Sequence, residues 1–501
     1  MSEKTLLLVE ASGIQDYIFG SNQLAQNIGA SELVRRATED WVETLTTPEQ
    51  RVYTGGGNAM LLFDTEPEAE DLARQLTRRV LEEAPGLHLL VARQRFKEGE
   101  LRQTHQQLRE KLAQRKLEHR PSTPLLGLGV TAACVYTGAP AVAVQDGQLI
   151  SAEVQAKLGA TEDGKIRLRQ QLRQIKKDYE FVYDFNDFGT KGESSYLTVI
   201  HTDGNRMGER IQALAGATDE TYAEALKAFS DSVRTAAGIA LNSTVNLLLQ
   251  NIVEVEGEDG KIREAIAGRV PCPEKGGIIH LPFRPIVFGG DDVTFVCEGR
   301  LGLALAAHYL RVFSAQSLSD KELAHARAGV AVVKSHYPFS RAYELAEDLA
   351  ASAKRYISET KLRFTALDWH FAVGGLVLPL SEIREREYTV SAGKLLMRPL
   401  SLTPITNDGR SWDTFTSIMA EFNGDMWADK RNKIKALREA LREGPQSVER
   451  FLALYTDRTP LPEIKALPSM AKQGWQGSRC GYFDAIEALD FFIPLEEGNA
   501  S

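Results

Sequence analysis

The chain has 501 residues, 43% of them hydrophobic and 25% charged, with a formal net charge of −9. That length exceeds one ordinary hydrophobic core and predicts roughly two to four globular domains. The acidic balance argues against a surface that coats polyanions, though it leaves room for a local basic groove.

Four cysteines, Cys134, Cys272, Cys297 and Cys480, lie far apart and form no C-x-x-C pair. This spacing points away from a disulfide framework or a zinc site and toward a reducing, cytoplasmic compartment. No secretory signal pattern is read in the opening residues, which lead straight into a strand pattern at 6–10. The uncharged stretch 124–145 has the length of a membrane span, but Gly127, Gly129, Gly138 and Pro140 interrupt it. A buried strand over 125–136 is expected instead, and no membrane association.

In chain order, the strand at 6–10 is followed by a region of helical spacing over 21–43. A strand, glycine turn and strand follow over 52–63, with Gly55, Gly56, Gly57 and Asn58 at the turn. The spacing then predicts an amphipathic helix over 68–81, a strand over 87–91 and a charged helix over 101–117. Residues 151–177 are polar and rich in Lys, Arg and Gln, helical in 165–177, and a break over 184–194 separates them from the second half.

The second half repeats the order of the first. A strand at 197–202 matches 6–10, a long helix spans 222–252, and the hairpin 286–296 matches 52–63. A helix over 301–313 follows, then a strand at 328–333 that is paired with 128–133. A helix over 340–356 and a strand over 364–373 complete the copy. The pattern predicts an α+β protein with two ferredoxin-like, split βαβ units. The domains expected are a first unit over 1–150, a helical connecting segment over 151–195, a second unit over 196–376 and an α-helical C-terminal domain over 377–501.

The chemistry concentrates in the second unit. Its hairpin reads R-P-I-V-F-G-G-D-D-V-T-F-V-C over 284–297, with Gly289, Gly290, Asp291 and Asp292 at the bend. Adjacent acids on a turn between core strands repel each other, and a divalent cation would offset that repulsion. A third acid, Asp203, ends the strand at 197–202 and opens the turn Asp203, Gly204, Asn205, Arg206, Met207, Gly208. The split βαβ topology makes these strands neighbours, so the three carboxylates can hold Mg²⁺ or Mn²⁺. A pair of such ions about 3.5–4 Å apart supports in-line phosphoryl displacement. Backbone N–H groups of the Gly204–Gly208 turn could cradle a triphosphate at the start of a helix. Lys354, with Arg355 second, is the candidate phosphate counter-charge. His201 and His370, beside apolar strands, read as hydrogen-bonded core or rim residues. The basic stretches 165–177 and 430–442 read as solvated helix faces rather than RNA contacts.

Together these motifs resemble a known family. The G-G-D-D hairpin, the D-G-N-R-M-G turn and the stretch from Gly329 to Lys354 are similar to the second palm domain of the large polymerase/cyclase subunit of type III CRISPR effector complexes. The N-terminal S-G-I-Q-D-Y-I-F-G-S-N (12–22) and G-A-S-E-L (29–33) resemble its first palm, and M-R-P-L (397–400) its C-terminal helical domain. The resemblance implies two palms facing each other, the G-G-D-D palm joining ATP into cyclic oligoadenylate second messengers for antiviral defence.

Carried onto this sequence, it makes Asp203, Asp291 and Asp292 the ligands of two Mg²⁺ or Mn²⁺ ions. Gly289 and Gly290 shape the turn, Gly204, Asn205, Arg206, Met207 and Gly208 face the triphosphate, and Lys354 touches phosphate. The turn from Gly55 to Asn58 holds the acceptor nucleotide without metals. RNA and other effector subunits are implied partners.

The sequence departs from the family in having no His-Asp dipeptide, so the HD nuclease domain is not expected. It also lacks the Cys-pair zinc site, since Cys272 stands alone before Pro273. A stand-alone cyclase therefore remains open beside assembly with a guide-RNA complex. Two other readings also stay open: a catalytically silent scaffold that binds nucleotide or RNA, and a synthase of cyclic dinucleotides from GTP.

Overall fold

The structure, a computed structural model, describes residues 3–118, 129–172, 174–175, 178–188, 195–214, 216, 218–257, 260–372, 378–405, 407–427, 430–455 and 459–497. Its first unit runs β1 (Glu3–Ser12), α1 (Ile14–Phe19), α2 (Leu24–Thr38), α3 (Asp40–Leu45), β2 (Arg51–Gly55), β3 (Asn58–Phe63), α4 (Glu66–Glu83), β4 (His88–Lys97) and α5 (Leu101–Glu118). The sheet order is β2-β3-β1-β4, antiparallel throughout. This is the predicted split βαβ unit.

A small hairpin, β5 (Ala141–Gln145) and β6 (Gln148–Ser151), leads into α6 (Ala152–Gln171). The Ser151 hydroxyl caps α6 by accepting from the Val154 N–H at 3.4 Å. The helix therefore starts well before the predicted 165.

The second unit runs β7 (Tyr196–Gly204), α7 (Met207–Ala213), α8 (Asp219–Gln250), β8 (Phe283–Val287), β9 (Val293–Glu298), α9 (Gly302–Ser314), β10 (Ala326–Lys334), α10 (Phe339–Thr360) and β11 (Ala366–Ala372). Its sheet repeats the first order, β8-β9-β7-β10, and extends it with β11, parallel to β10, and β12 (Leu400–Ser401). The chain is thus α+β with two ferredoxin-like units.

Two expectations need correction. The fourth strand of the first unit is β4, paired with β1 from Glu3 opposite Lys97 to Ser12 opposite His88. It is β4, not 128–133, that matches β10. Residues 125–128 lie outside the described residues, and 129–136 form turns and an isolated bridge, with Val130 92% exposed. The apolar run misled because hydrophobicity without period does not report burial. β4 was read too short because, as a half-exposed edge strand, it carries charges along its length.

Alternation along β7 feeds two cores. Ile200 joins Phe295, Ala328, Val330 and Val332 beneath α8 and α9. Leu197 and Val199 join Ala331 and Val333 with α10 and with Leu7, Val9, Phe19 and Leu33 of the first unit. The two units thus share apolar core across their seam, each buried Val or Leu contributing about 1.5–3 kcal/mol. The second sheet also anchors the C-terminal helices α11 (Leu380–Tyr388), α12 (Trp412–Asn423), α13 (Arg431–Glu443), α14 (Pro445–Tyr455), α15 (Met470–Gln473) and α16 (Phe483–Ala488). Among the described residues, no helix is long and apolar enough to cross a membrane.

Arg398, from the M-R-P-L stretch, is buried where these helices meet the sheet. Its Nη1 lies 3.2 Å from Asp484 and its Nη2 3.2 Å from Glu487, with the guanidinium 5.2 Å from the Trp369 ring. Arg398→Ala would strand two buried carboxylates. We expect a loss of about 3–5 kcal/mol, read as a lower urea midpoint in tryptophan fluorescence.

Candidate active site

The register of β7 and β9 builds the acid cluster. Val293 pairs with Thr202, so the next pair outward is Asp292 and Asp203. Asp291 packs against the β7 turn: a Cβ on Gly204 would lie 2.8 Å from Asp291 Cβ and 3.0 Å from its Oδ2. Only a residue without a side chain at 204 admits that contact.

Burial, then the charges of Asp203 and Asp292, push the Asp291 carboxyl up to about 7. Burial, then Asp203 and Glu347, push Asp292 up to about 7 as well. Asp292 Oδ1 is enclosed with no hydrogen-bond partner, while its side chain as a whole keeps 40% exposure.

Arg327 on β10, directly across from Asp203, supplies the counter-charge. Its guanidinium pairs with the Asp203 carboxylate and donates to Gly204 O at 3.2 Å and Asn205 Oδ1 at 3.0 Å. The Asn205 N–H donates to His325 O at 2.8 Å, and its side-chain amide to Phe364 O at 3.3 Å. The turn is therefore fixed on every side.

Arg206 adopts a left-handed conformation with φ 60° and is exposed, paired with Glu209. Met207 starts α7, only seven residues long. Gly208 faces the first unit, where a Cβ would meet Arg109 at 3.7 Å.

Among the described residues, no three His, Cys, Asp or Glu side chains form a compact metal-binding group. The acids are gathered but not closed, because Arg327 engages Asp203. The donor set nonetheless suits a hard divalent cation: carboxylate oxygens only, one buried and unpartnered, two titrating far above their ordinary range.

The two hairpins meet at the seam, a Cβ on Gly290 falling 3.9 Å from Gly56 Cα. Arg234 of α8 donates to Thr54 O beside that turn. In the first unit Glu10 pairs with Asn58, the register position that Asp203 and Asp292 hold in the second. One acid therefore survives in the first copy, at the strand end and not in the Gly55–Asn58 turn. Glu10 is neutralised by Lys116, and with Tyr53, Asn58, His105 and Arg109 these two residues border a cavity of about 350 Å³.

Lys116 and Lys354 are each the sixteenth residue of their helices, α5 and α10. Glycine at 329, opposite His201, lets α10 touch β10, since a Cβ there would lie 1.9 Å from Ala346 O and 2.5 Å from Ala350 N. One turn beyond Ala350, Lys354 is exposed toward the end of the sheet that carries the acids.

His201 is buried, 3.4 Å from both Thr294 Oγ1 and Asp292 Oδ1, and burial lowers its pKa. His370 is buried and pushed down to about 3 by burial and by Arg398 and Arg384. Both are buried; His201 lies within hydrogen-bond reach of Thr294 as expected, whereas His370 Nδ1 has no hydrogen-bond partner among the described residues. Sequence reasoning missed Arg327 and Glu347. A lone arginine inside the apolar run of β10 was a signal for the first; Glu347 resembles any solvated helical glutamate.

Two ferredoxin-like units packed face to face, with acids on one of the two opposed hairpins, define a paired-palm fold. No family model matches the sequence, and no curated protein sequence matches it. Solved structures do. Csm1 from T. onnurineus is similar with a TM-score of 0.58 at 15% identity, over 98% of this chain and 69% of that one. Csm1 in a Csm1–Csm4 cassette with AMPPNP gives 0.56 at 16% identity, over 97% and 70%. The cassette with cA3 gives 0.56 at 15% identity, over 98% and 70%. The chain therefore has the architecture of the large subunit of type III-A CRISPR complexes, and the resemblance read from the motifs holds at the level of fold.

The raised carboxyl values fix a pH dependence. In the unfolded chain these aspartates titrate near 3.8 and in the folded protein near 7. Between those values the native state binds more protons, so their contribution to stability falls as pH rises through that window. Asp291→Asn should flatten this decline and raise the thermal midpoint at pH 8 in chelator, measured by calorimetry.

Proposed function

We propose that the chain is a nucleotidyltransferase that joins nucleoside triphosphates, ATP foremost, into a cyclic oligonucleotide messenger. The observation that carries this reading is the convergence of Asp203, Asp291 and Asp292, two of them at about 7, on the seam between opposed glycine turns. The similar structures support it, since they include Csm1–Csm4 cassettes described in complex with cA4, cA3 and AMPPNP.

In this reading a ribose hydroxyl of one nucleotide attacks the α-phosphorus of another. The hydroxyl gives up its proton to solvent as the new P–O bond forms, and pyrophosphate leaves with the electron pair of the broken P–O bond. Two Mg²⁺ or Mn²⁺ ions held by Asp203, Asp291 and Asp292 would supply Lewis-acid stabilisation of that charge. Gly289 and Gly290 keep the hairpin low enough for phosphate to approach, and the backbone of Gly204, Asn205, Arg206, Met207 and Gly208 lines the triphosphate. Lys354 offsets phosphate charge. The Gly55–Asn58 turn, with Glu10 and Lys116 behind it, holds the acceptor. Partner subunits like the Csm4 of the similar cassettes, RNA as the trigger and a cytoplasmic setting complete the proposal.

One observation favours a second reading. The Asp203 carboxylate is paired with Arg327 and is not free, an arrangement compatible with a catalytically silent nucleotide- or RNA-binding scaffold.

The decisive experiment incubates purified chain with ATP, GTP or both and Mn²⁺ or Mg²⁺, with and without RNA, and reads products by mass spectrometry. Pyrophosphate and a cyclic adenylate are expected, while a GTP-derived dinucleotide would change the base assignment. Asp291→Ala with Asp292→Ala should cut turnover by about 10²–10³-fold or more. Absence of product under every condition would favour the scaffold. Separately, Mn²⁺ at pH 8 should raise the melting temperature of wild type and leave that double variant unmoved.

A further inference from the structure

The stretch G-A-S-E-L (29–33) takes no part in the proposed chemistry, yet it converges on the seam. A Cβ on Gly29 would lie 1.7 Å from Lys157 O, so α2 and α6 touch backbone to backbone there. Glu32, three residues on, is buried and faces Arg35 at 2.8 Å, Arg36 at 3.2 Å and, from α6, Arg167 at 2.9 Å. Arg36 also pairs with Asp163 of α6. Close contact and ion pairs thus fix the connecting helix to the first unit.

From that platform Arg167 reaches the second unit. Its guanidinium lies 4.1 Å from the centre of the Phe288 ring. Phe288 immediately precedes Gly289, Gly290, Asp291 and Asp292, so the ring stands at the base of the acidic bend. A guanidinium over the face of a half-buried ring attracts it and fixes its place.

A second arginine crosses the other way. Arg234 of α8, in the second unit, donates to Thr54 O on β2 of the first. It enters where Gly55 has no side chain: a Cβ there would lie 2.5 Å from Arg234 Nη2 and 3.1 Å from Glu39 Oε1. Burial raises the pKa of Glu39, and the charges of Arg234, then Arg35 and Arg167, act against that rise. One carboxylate therefore answers both crossing arginines. Each arginine here has an acid beside it, so the cluster has no spare charge for a ligand and acts by position.

We infer that Arg167 and Arg234 are crossed struts that hold the two opposed hairpin turns at a fixed separation, and that Arg167 is a positioning residue for Asp291 and Asp292. Only the second part rests on the cation-dependent joining reading; the struts do not. Phe288 precedes Asp291 by three residues, so releasing its ring lets the bend move and spreads the acids over more positions than a cation can bridge.

The test is hydrogen exchange read by mass spectrometry on the full chain, followed by calorimetric titration with Mn²⁺ at pH 8. Arg167→Met keeps an apolar stem against Phe288 and removes the charge. Exchange over 286–293 should rise roughly tenfold while β7 and β10 keep wild-type protection. Arg234→Ala should raise exchange over 52–58 instead. Mn²⁺ affinity should fall about tenfold in Arg167→Met and stay within about twofold in Arg234→Ala.

Unchanged exchange at the acidic hairpin in Arg167→Met overturns the strut, whatever the protein does with nucleotides. Loosened exchange with unchanged Mn²⁺ affinity keeps the strut and removes the positioning role. If wild type binds no Mn²⁺, the positioning role falls together with the joining reading, while exchange still decides the struts. Should Arg167→Met lose protection along the whole chain, Phe288→Leu removes the ring and leaves the pair of Arg167 with Glu32 in place. The same local rise over 286–293 is expected there, and its absence overturns the strut.

Discussion

Three carboxylates held at one end of a sheet, in surroundings too poor in solvent to keep them all ionised, form the constraint on which the rest of the second unit turns. Every element around them moderates that repulsion. Arg327 crosses from β10 to Asp203, Gly204 withdraws its side chain so that Asp291 can settle against the turn, and Asn205 is tied to β10 and to the strand beyond it. A protein under selection for stability alone would replace such a cluster with apolar residues of similar volume. Its presence at the seam of two units is what the proposed cation-dependent joining reaction would require.

The seam carries structure of its own. Glu32, from the G-A-S-E-L stretch of α2, is almost fully buried and pairs with Arg35, Arg36 and, from α6, Arg167. The Arg167 guanidinium in turn lies 4.1 Å from the ring of Phe288, the residue immediately before Gly289. A chain of contacts therefore runs from the first unit through the connecting helix to the base of the acidic hairpin. On the other side Phe19 of α1 stacks at 3.9 Å on Tyr343 of α10, whose ring meets His201 edge-on at 5.5 Å. The hairpin is braced from both faces by the unit that lacks its acids.

What the sequence disclosed follows from how local each signal is. The acidic hairpin, the Asp203 turn and the doubled βαβ order were legible because turn chemistry and strand alternation are written in neighbouring residues. Arg327 and Glu347 were not, because their places beside the acids come from register and from packing between elements far apart in the chain. The error over 125–136 has a related cause. Apolar composition was read as burial, whereas β4, the true fourth strand, hides one face behind a charged and ordinary-looking sequence. Glu32 was quoted as part of a motif, yet its ionic role depends on a helix more than a hundred residues away.

The two units differ in how their charges are balanced, which in the proposed reaction would make one act and the other receive. Glu10 stands where Asp203 stands, but its neighbours across the sheet are Asn58 and Gly57 instead of Asp292 and Asp291. A single carboxylate is neutralised by a single lysine, and Lys116 reaches Glu10 from the helical position that Lys354 occupies on α10. In the second unit Arg327 takes Asp203, Lys354 stays exposed, and Asp291 and Asp292 are left carrying repulsion that Arg327 only partly relieves. Loss of two acids thus turns a crowded acidic pocket into one where a single carboxylate, Glu10, faces Lys116 and Arg109, while in the second copy the hold of Arg327 on Asp203 leaves Lys354 at the surface.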